Sequence, residues 1–407
     1  MSSTKKDFKN PFRPGAGHMP PYLAGRKSEI EEFLRLLEQE TILENLILTG
    51  LRGVGKTVLL ETFKPLAIQA GWMWVGTDLS ESTSISEQNM ATRLLTDLSV
   101  VTSNITLTSE VVRPAGFAGL SDRIERKLTY QTLASLFNSA PGLVSDKLKH
   151  TLEFVWSSLS SSSKKGVIFA YDEAQNLSDH SPKEQFPLSL LLDVFQSLQR
   201  KDIPFMLVLT GLPTLFPKLV ESRTFSERMF HQIFLRRLND GDSRDAILKP
   251  ITEAACPVTL NDASVQTIVK VSGGYPYFIQ FICREVYDAF LQKIRIGEQA
   301  RVPTEEIMRK LDTDFFAGRW ARATDRQREL LTVIASLENS DAEFTVQELV
   351  EKSKAALEKP FSSSHANQML ASLSENGLVY KNRHGRYSFA VPLLGQFILR
   401  QAVAQGS

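Results

Sequence analysis

Residues 46–57, Leu-Ile-Leu-Thr-Gly-Leu-Arg-Gly-Val-Gly-Lys-Thr, constrain this chain more than any other stretch. Leu46, Ile47 and Leu48 read as a short buried strand, and residues 58–63 read as the start of a helix. Between them Gly50, Gly53, Gly55, Lys56 and Thr57 complete the pattern G-x-x-x-x-G-K-[ST], with Arg52 and Val54 at variable positions. A strand, a glycine-rich turn and a helix in that order commit the chain to an α/β fold built around the turn. Glycine lets successive amide N–H groups converge on a phosphate, and the helix beginning at Val58 adds its positive end. Lys56 suits the β- and γ-phosphates of a nucleotide, and the Thr57 hydroxyl suits Mg²⁺. The plainer reading, a turn and nothing more, would leave this filled pattern to coincidence.

At 407 residues the chain exceeds one ordinary core, so two or three domains are expected. Lys+Arg 47 against Asp+Glu 46 leaves a net charge of +1, which makes no global electrostatic case for a nucleic-acid partner. Two cysteines and six histidines show neither a disulfide framework nor a metal-ligand spacing. No apolar run spans a membrane and no signal peptide is visible, so the expectation is a cytoplasmic protein without membrane contact.

The first twenty residues are polar and rich in proline and glycine, and should lie extended. Ser28 is the expected N-cap of a first helix carrying Ile30, Phe33, Leu34 and Leu37. Gly25-Arg26 before it reads either as a loop or as a lip around an adenine. A second strand is expected at 72–75. Residues 80–165 then form a long helical insertion, with helices at 90–100, 124–137 and 148–159 and a serine-rich connector at 157–165.

The next strand, 167–171, is uniformly apolar and ends in Asp172-Glu173, where open α/β sheets place ligands. Downstream of a phosphate loop, Asp172 would hold Mg²⁺ and Glu173 would orient the attacking water. The bland alternative is two solvated acids opening a helix. A fourth strand, 205–209, ends at Thr210, which is either a turn cap or a group that reaches the γ-phosphate. A fifth is expected at 232–235. Residues 240–316 then read as wholly helical, with Thr304 as an N-cap. Residues 325–407 read as helices at 325–337, 345–357 and 362–376, a hairpin around 382–385, and a last helix at 393–402, a winged-helix pattern.

Taken in order, these features resemble the AAA+/STAND-type P-loop ATPases, in particular the origin-recognition-like bacterial and archaeal ATP-binding proteins. The resemblance rests on Pro21-x-Leu23-x-Gly25-Arg26, the loop at 50–57, Asp172-Glu173-Ala174-Gln175 and Ser226-Glu227-Arg228. It continues through Gly274-Tyr275-Pro276 and the C-terminal wing. It implies a five-stranded parallel P-loop core at 1–240, a helical lid at 241–319 and a winged-helix domain at 320–407. It further implies that Pro21, Leu23 and Arg26 line the adenine pocket and that Thr210 is a first sensor. Arg228 would be an arginine finger toward a neighbouring subunit, against a plainer reading as a surface arginine. Pro276 would face the nucleotide from the lid. Initiator-type members carry a lid arginine where this chain has Gly274-Tyr275-Pro276, with Arg284 farther along, which favours the STAND-like switch version.

The expected function is an ATP-binding, ATP-hydrolysing switch with ATP and Mg²⁺ as cofactors, acting as a homo-oligomer with a separate protein partner. The alternative is a DNA-associated regulator or loader. The would-be recognition helix, 362–376, has no Lys or Arg and one Glu, and residues from 320 onward carry ten basic and nine acidic side chains. Phosphate neutralisation supplies most non-specific DNA affinity, so this balance disfavours DNA. A third possibility is a nucleotide held as a structural cofactor with little hydrolysis.

Overall fold

A computed structural model describes residues 9–113, 120–159, 163–338, 343–383 and 385–405. The chain forms two compact units. One comprises Lys27–Thr49 and Leu59–Phe234; the other takes the described residues up to Arg26, the segment Gly50–Val58 and the described residues from Leu235 onward.

The first unit opens with helix α1 (Lys27–Leu36), strand β1 (Asn45–Gly50), α2 (Lys56–Gln69) and β2 (Trp72–Val75). Phe33 of α1 stacks on Phe63 of α2 at 4.1 Å between ring centroids, which places the apolar stripe of α1 in the core. Ser28 does not cap α1: the helix begins at Lys27, and the Ser28 hydroxyl donates to Glu29 instead. Helix α3 (Glu87–Thr102) follows, capped by Ser86, which accepts from the Asn89 N–H.

The expected all-helical insertion is corrected at its centre. Strands β3 (Thr106–Arg113) and β4 (Leu120–Lys127) pair antiparallel, Thr106 opposite Lys127. Residues 124–127 are therefore strand, and helix resumes only with α4 (Tyr130–Ser139), capped by Thr129. The first of these strands is rich in Thr and Val, whose branched side chains favour strand over helix. Helix α5 (Val144–Leu159) runs three residues into the serine-rich stretch, of which 160–162 lie outside the described residues, as do residues 114–119.

Strand β5 (Gly166–Tyr171), α6 (Pro187–Gln199), β6 (Phe205–Gly211), the short helices α7 (Leu215–Ser222) and α8 (Ser226–Met229), and β7 (Phe230–Leu235) complete the unit. The sheet has five strands in the order β2-β5-β6-β1-β7, as expected of a doubly wound parallel core. Parallel register sets Val75 beside Phe169, Tyr171 beside Leu209, and Leu48 beside Thr210. Buried Asn45 fastens β1 at its start: its Oδ1 accepts from the Leu207 N–H at 2.7 Å and its Nδ2 donates to the Met229 carbonyl at 3.1 Å.

The second unit is built on α9 (Asp240–Glu253), α10 (Asp262–Ser272), the long α11 (Pro276–Arg295) and α12 (Thr304–Leu311). Thr304 is the first residue of α12 rather than its cap, and its hydroxyl donates to the Val302 carbonyl. A π-helical turn over Asp312–Phe316 and α13 (Ala317–Trp320) lead to α14 (Asp325–Ala335), β8 (Phe344–Thr345), α15 (Val346–Ala356) and α16 (Ser363–Glu375). Strands β9 (Val379–Arg383) and β10 (Arg386–Phe389) follow, then α17 (Leu394–Gln405). The three strands pair in the order β8-β10-β9, one strand more than the expected hairpin. Among the described residues no helix is long and apolar enough to cross a membrane, and no cluster of His, Cys, Asp and Glu is arranged to hold a metal.

Candidate functional site: a phosphate loop and an acidic strand end

The loop expected to hold phosphate leaves β1 at Gly50, where a Cβ would lie 2.7 Å from the Leu235 carbonyl oxygen and 2.9 Å from Val54. Only glycine lets the two main chains approach so closely. Gly53 and Gly55 take φ of 80° and 93°, a region that L side chains rarely enter. A Cβ at Gly55 would meet nothing within 4 Å, so backbone conformation, not space, demands glycine there. The Lys56 ammonium donates to the carbonyls of Gly50 and Leu51, each at 3.0 Å, and is thereby folded back over the loop.

Two supports hold this loop within its unit. Arg26 is buried, and its guanidinium donates to the carbonyls of Val54 at 2.8 Å and Arg236 at 2.9 Å. Those bonds make Arg26 a brace for the loop. Leu23, before it, is half-buried and Pro21 exposed. The second support is α11. Pro276 occupies its first position, where a missing N–H costs nothing, and the next residue, Tyr277, donates its N–H to the Gly53 carbonyl at 3.1 Å.

The tip of the loop also meets the C-terminal module. The Arg52 guanidinium lies 3.5 Å from the position a Cβ would take at Gly377, the residue just beyond α16. Gly377 has φ of 66°, the left-handed stop expected of a helix C-terminus. Arg319 stacks on Phe315 at 4.5 Å, and Phe315 packs on Tyr277 with ring centroids 5.3 Å apart. Burial lowers the Arg319 pKa, and the charges of Arg52 and Arg322 push it the same way. As the glycine that ends the helix expected at 362–376, Gly377 was legible in the sequence, though its approach to Arg52 was not; Tyr277 carried no signal of its own. Tyr277 sat next to the Gly-Tyr-Pro turn, but its contribution is a main-chain N–H that any residue except proline supplies.

The acidic pair belongs to the other unit. Asp172 follows β5 and is buried, and its Oδ1 accepts from the Glu173 N–H at 2.7 Å. The Asp172 main chain bridges to the segment after β2: its N–H donates to Thr77 at 3.2 Å and its carbonyl accepts from Leu79 at 2.9 Å. Glu173 is exposed and sits at φ 52°, ψ 32°, a left-handed conformation that costs a non-glycine residue about 1–3 kcal/mol. A single 3₁₀ turn, Ala174–Asn176, follows, in place of the helix that the bland reading required.

Thr210 is wholly buried, and its hydroxyl has no hydrogen-bond partner among the described residues, so it caps no turn. The Thr49 hydroxyl on the neighbouring strand β1 is likewise buried without a partner. Buried hydroxyls nearly always find partners, so such a pair on adjacent strands is unusual. Asp172, Glu173 and Thr210 thus share the carboxyl edge of β5 and β6. Arg228 does not join them: it lies exposed on α8 with no ion pair among the described residues.

One residue in this cluster was not singled out in advance. Gln175 donates from its Nε2 to the Glu173 carboxylate, accepts at its Oε1 from the Leu212 N–H at 3.1 Å, and accepts at its carbonyl from Lys218 at 2.7 Å. Its place in Asp172-Glu-Ala-Gln175 was visible, but no spacing rule assigns such a role.

The profile of a domain of unknown function (DUF8462) matches residues 313–398. No curated protein matches the chain. Among solved structures, a Walker-type ATPase of Pyrococcus abyssi is similar at a TM-score of 0.57 and 16% identity, over 93% of this chain and 96% of that one. The ORC2 protein of Aeropyrum pernix in its ADP form is similar at 0.51 and 13% identity, over 94% of this chain and 96% of that one. The phosphate loop after β1, the acidic end of β5 and these likenesses agree: the chain has the α/β P-loop fold of Walker-type and origin-recognition ATPases.

Proposed function

We propose that this chain is an ATP-operated switch, in which nucleotide on the phosphate loop sets the posture of the lid helices and the C-terminal module. The observation that carries the reading is the double support of the loop tip. Gly53 is bonded to Tyr277 of α11, and Arg52 lies against Gly377 at the end of α16. A ligand that reshapes this loop acts on both elements, and the differential binding that results is the coupling free energy.

In this reading the amides from Gly50 to Val58, with Lys56, hold the phosphates. Lys56 exchanges its two carbonyl acceptors for phosphate oxygens, which a charged partner favours. Thr57 and Asp172 offer the hard oxygen donors that Mg²⁺ prefers, and the ion would supply charge neutralisation at the phosphates. Glu173 takes the proton of the attacking water, and Thr210, with its spare buried hydroxyl, orients that water or the terminal phosphate. Pro21, Leu23 and Arg26 border the base, and Pro276 closes from the lid. Exposed and without an ion pair among the described residues, Arg228 suits presentation to a second copy in a homo-oligomer. The partner that reads the switch is a separate cytoplasmic protein. The ADP form named for the ORC2 structure supports the choice of ligand class.

Fluorescent-nucleotide binding should be lost in Lys56→Ala. Turnover in Glu173→Gln should fall by about a hundredfold or more while binding persists, as removal of a general base requires. Unimpaired turnover in the Glu173 variant would sink this assignment. The DNA-associated alternative is tested by filter binding at low salt, with and without ATP. Retention that falls steeply with salt would favour it over a protein partner.

A further inference from the structure

Glu173 is held in an unusual way, and all of the atoms that hold it lie in one unit. Its left-handed backbone turns the chain so that Gln175, two residues on, folds back over its carboxylate. The Gln175 amide is used at both ends, donating to Glu173 and accepting from the Leu212 N–H at 3.1 Å. Reversing the amide would set oxygen against carboxylate and NH₂ against N–H, so its orientation is fixed by its neighbours. The Gln175 main chain is pinned as well, by Lys218 at 2.7 Å, an ammonium whose pKa burial lowers. Gly211 completes the fit, because a Cβ there would lie 2.7 Å from the Gln175 Oε1. The segment Thr210-Gly211-Leu212 is thus tied through one side chain to the Glu173 carboxylate.

We propose that Gln175 is a catch: it restrains the Glu173 carboxylate, and displacement of the Thr210–Leu212 turn releases it. The proposal rests on the reading of Glu173 as the proton acceptor in hydrolysis. There the water oxygen bonds to the terminal phosphorus, the bridging phosphorus–oxygen bond to the leaving diphosphate breaks, and the water proton passes to Glu173. A carboxylate oxygen already accepting from an amide N–H is a poorer acceptor for that proton, and its side chain is not free to turn. Gln175 is in this sense a positioning residue whose effect passes through Glu173.

The test is steady-state ATP hydrolysis by the full chain, with kcat and KM determined separately and nucleotide affinity measured in parallel. Gln175→Met keeps the length of the side chain beside Gly211 and removes both amide bonds. Its kcat should rise by a factor on the order of ten, the low end for loss of one hydrogen bond to a charged group, with KM and affinity unmoved. The gain should vanish when Glu173→Gln is added, which a merely structural role for Gln175 would not require. An unchanged or lower kcat in a folded Gln175→Met variant overturns the catch. Should that variant fail to fold, Gly211→Ala presses a methyl onto the Gln175 Oε1 and should raise kcat by the same route; no rise overturns the proposal. Undiminished turnover in Glu173→Gln alone would instead refute the hydrolytic role of Glu173, a separate outcome.

Discussion

Asp97 on α3 is buried beside Arg93, whose Nε donates to it at 2.9 Å, and near the Tyr171 hydroxyl at the end of β5. Burial raises the Asp97 pKa above the ordinary carboxylate value, against the opposing pull of Arg93. Between those two values the folded chain binds more protons than the unfolded one, so stability falls as pH rises through that interval. Denaturant midpoints measured from about pH 4 upward should show this decline, and Asp97→Asn should flatten it. The two thiols offer a second check at this scale. Burial pushes the Cys283 thiol far up, while Cys256 is partly exposed, so a maleimide should label the native chain at Cys256 and reach Cys283 only on unfolding. None of these environments was legible in advance. Asp97 reads as an ordinary polar position on a helix, and its burial comes from elements far away in the chain.

At the scale of elements, legibility followed the strength of the local signal. The phosphate loop, the acidic strand end and the stop at Gly377 each need residue types that few other structures demand, and each stood where expected. The hairpin β3–β4 was missed because residues 124–127 read as the start of the following helix and residues 106–113 were assigned no element, an eight-residue strand giving a weaker pattern than two helical turns. Asn45 shows another limit: a polar residue opening an apolar strand looks like a boundary, yet it holds β6 through Leu207. Gly377 gives the test here. Alanine at φ 66° should cost about 1–2 kcal/mol, read as a lower melting temperature of the transition that includes α16. Because Arg52 lies against the same residue, that variant should also change the ATP response of the C-terminal module, measured by limited proteolysis.

For the whole molecule, the strands of the five-stranded sheet were readable because each announces itself as an apolar run. The grouping was not. The phosphate loop, though it follows β1 directly, is gathered with residues up to Arg26 and those from Leu235 onward rather than with most of the strand and helix that flank it. Such long-range pairings are invisible to any local pattern. If nucleotide governs assembly as proposed, light scattering after size exclusion should give a larger species with a non-hydrolysable ATP analogue than with ADP. Lys56→Ala should give the smaller species in both, and Arg228→Ala should lower the assembled fraction without weakening nucleotide binding.

The brace at Arg26 has a consequence for how such a chain tolerates change. Its guanidinium grips the carbonyls of Val54 and Arg236, groups that every amino acid presents. Substitutions at those two partners therefore leave the grip intact, while nothing shorter or uncharged can replace Arg26 itself. The loop side chains are free to drift and the clamp on their backbone is not. Across distant relatives, residue 26 would then stay fixed with no matching change at 54 or 236.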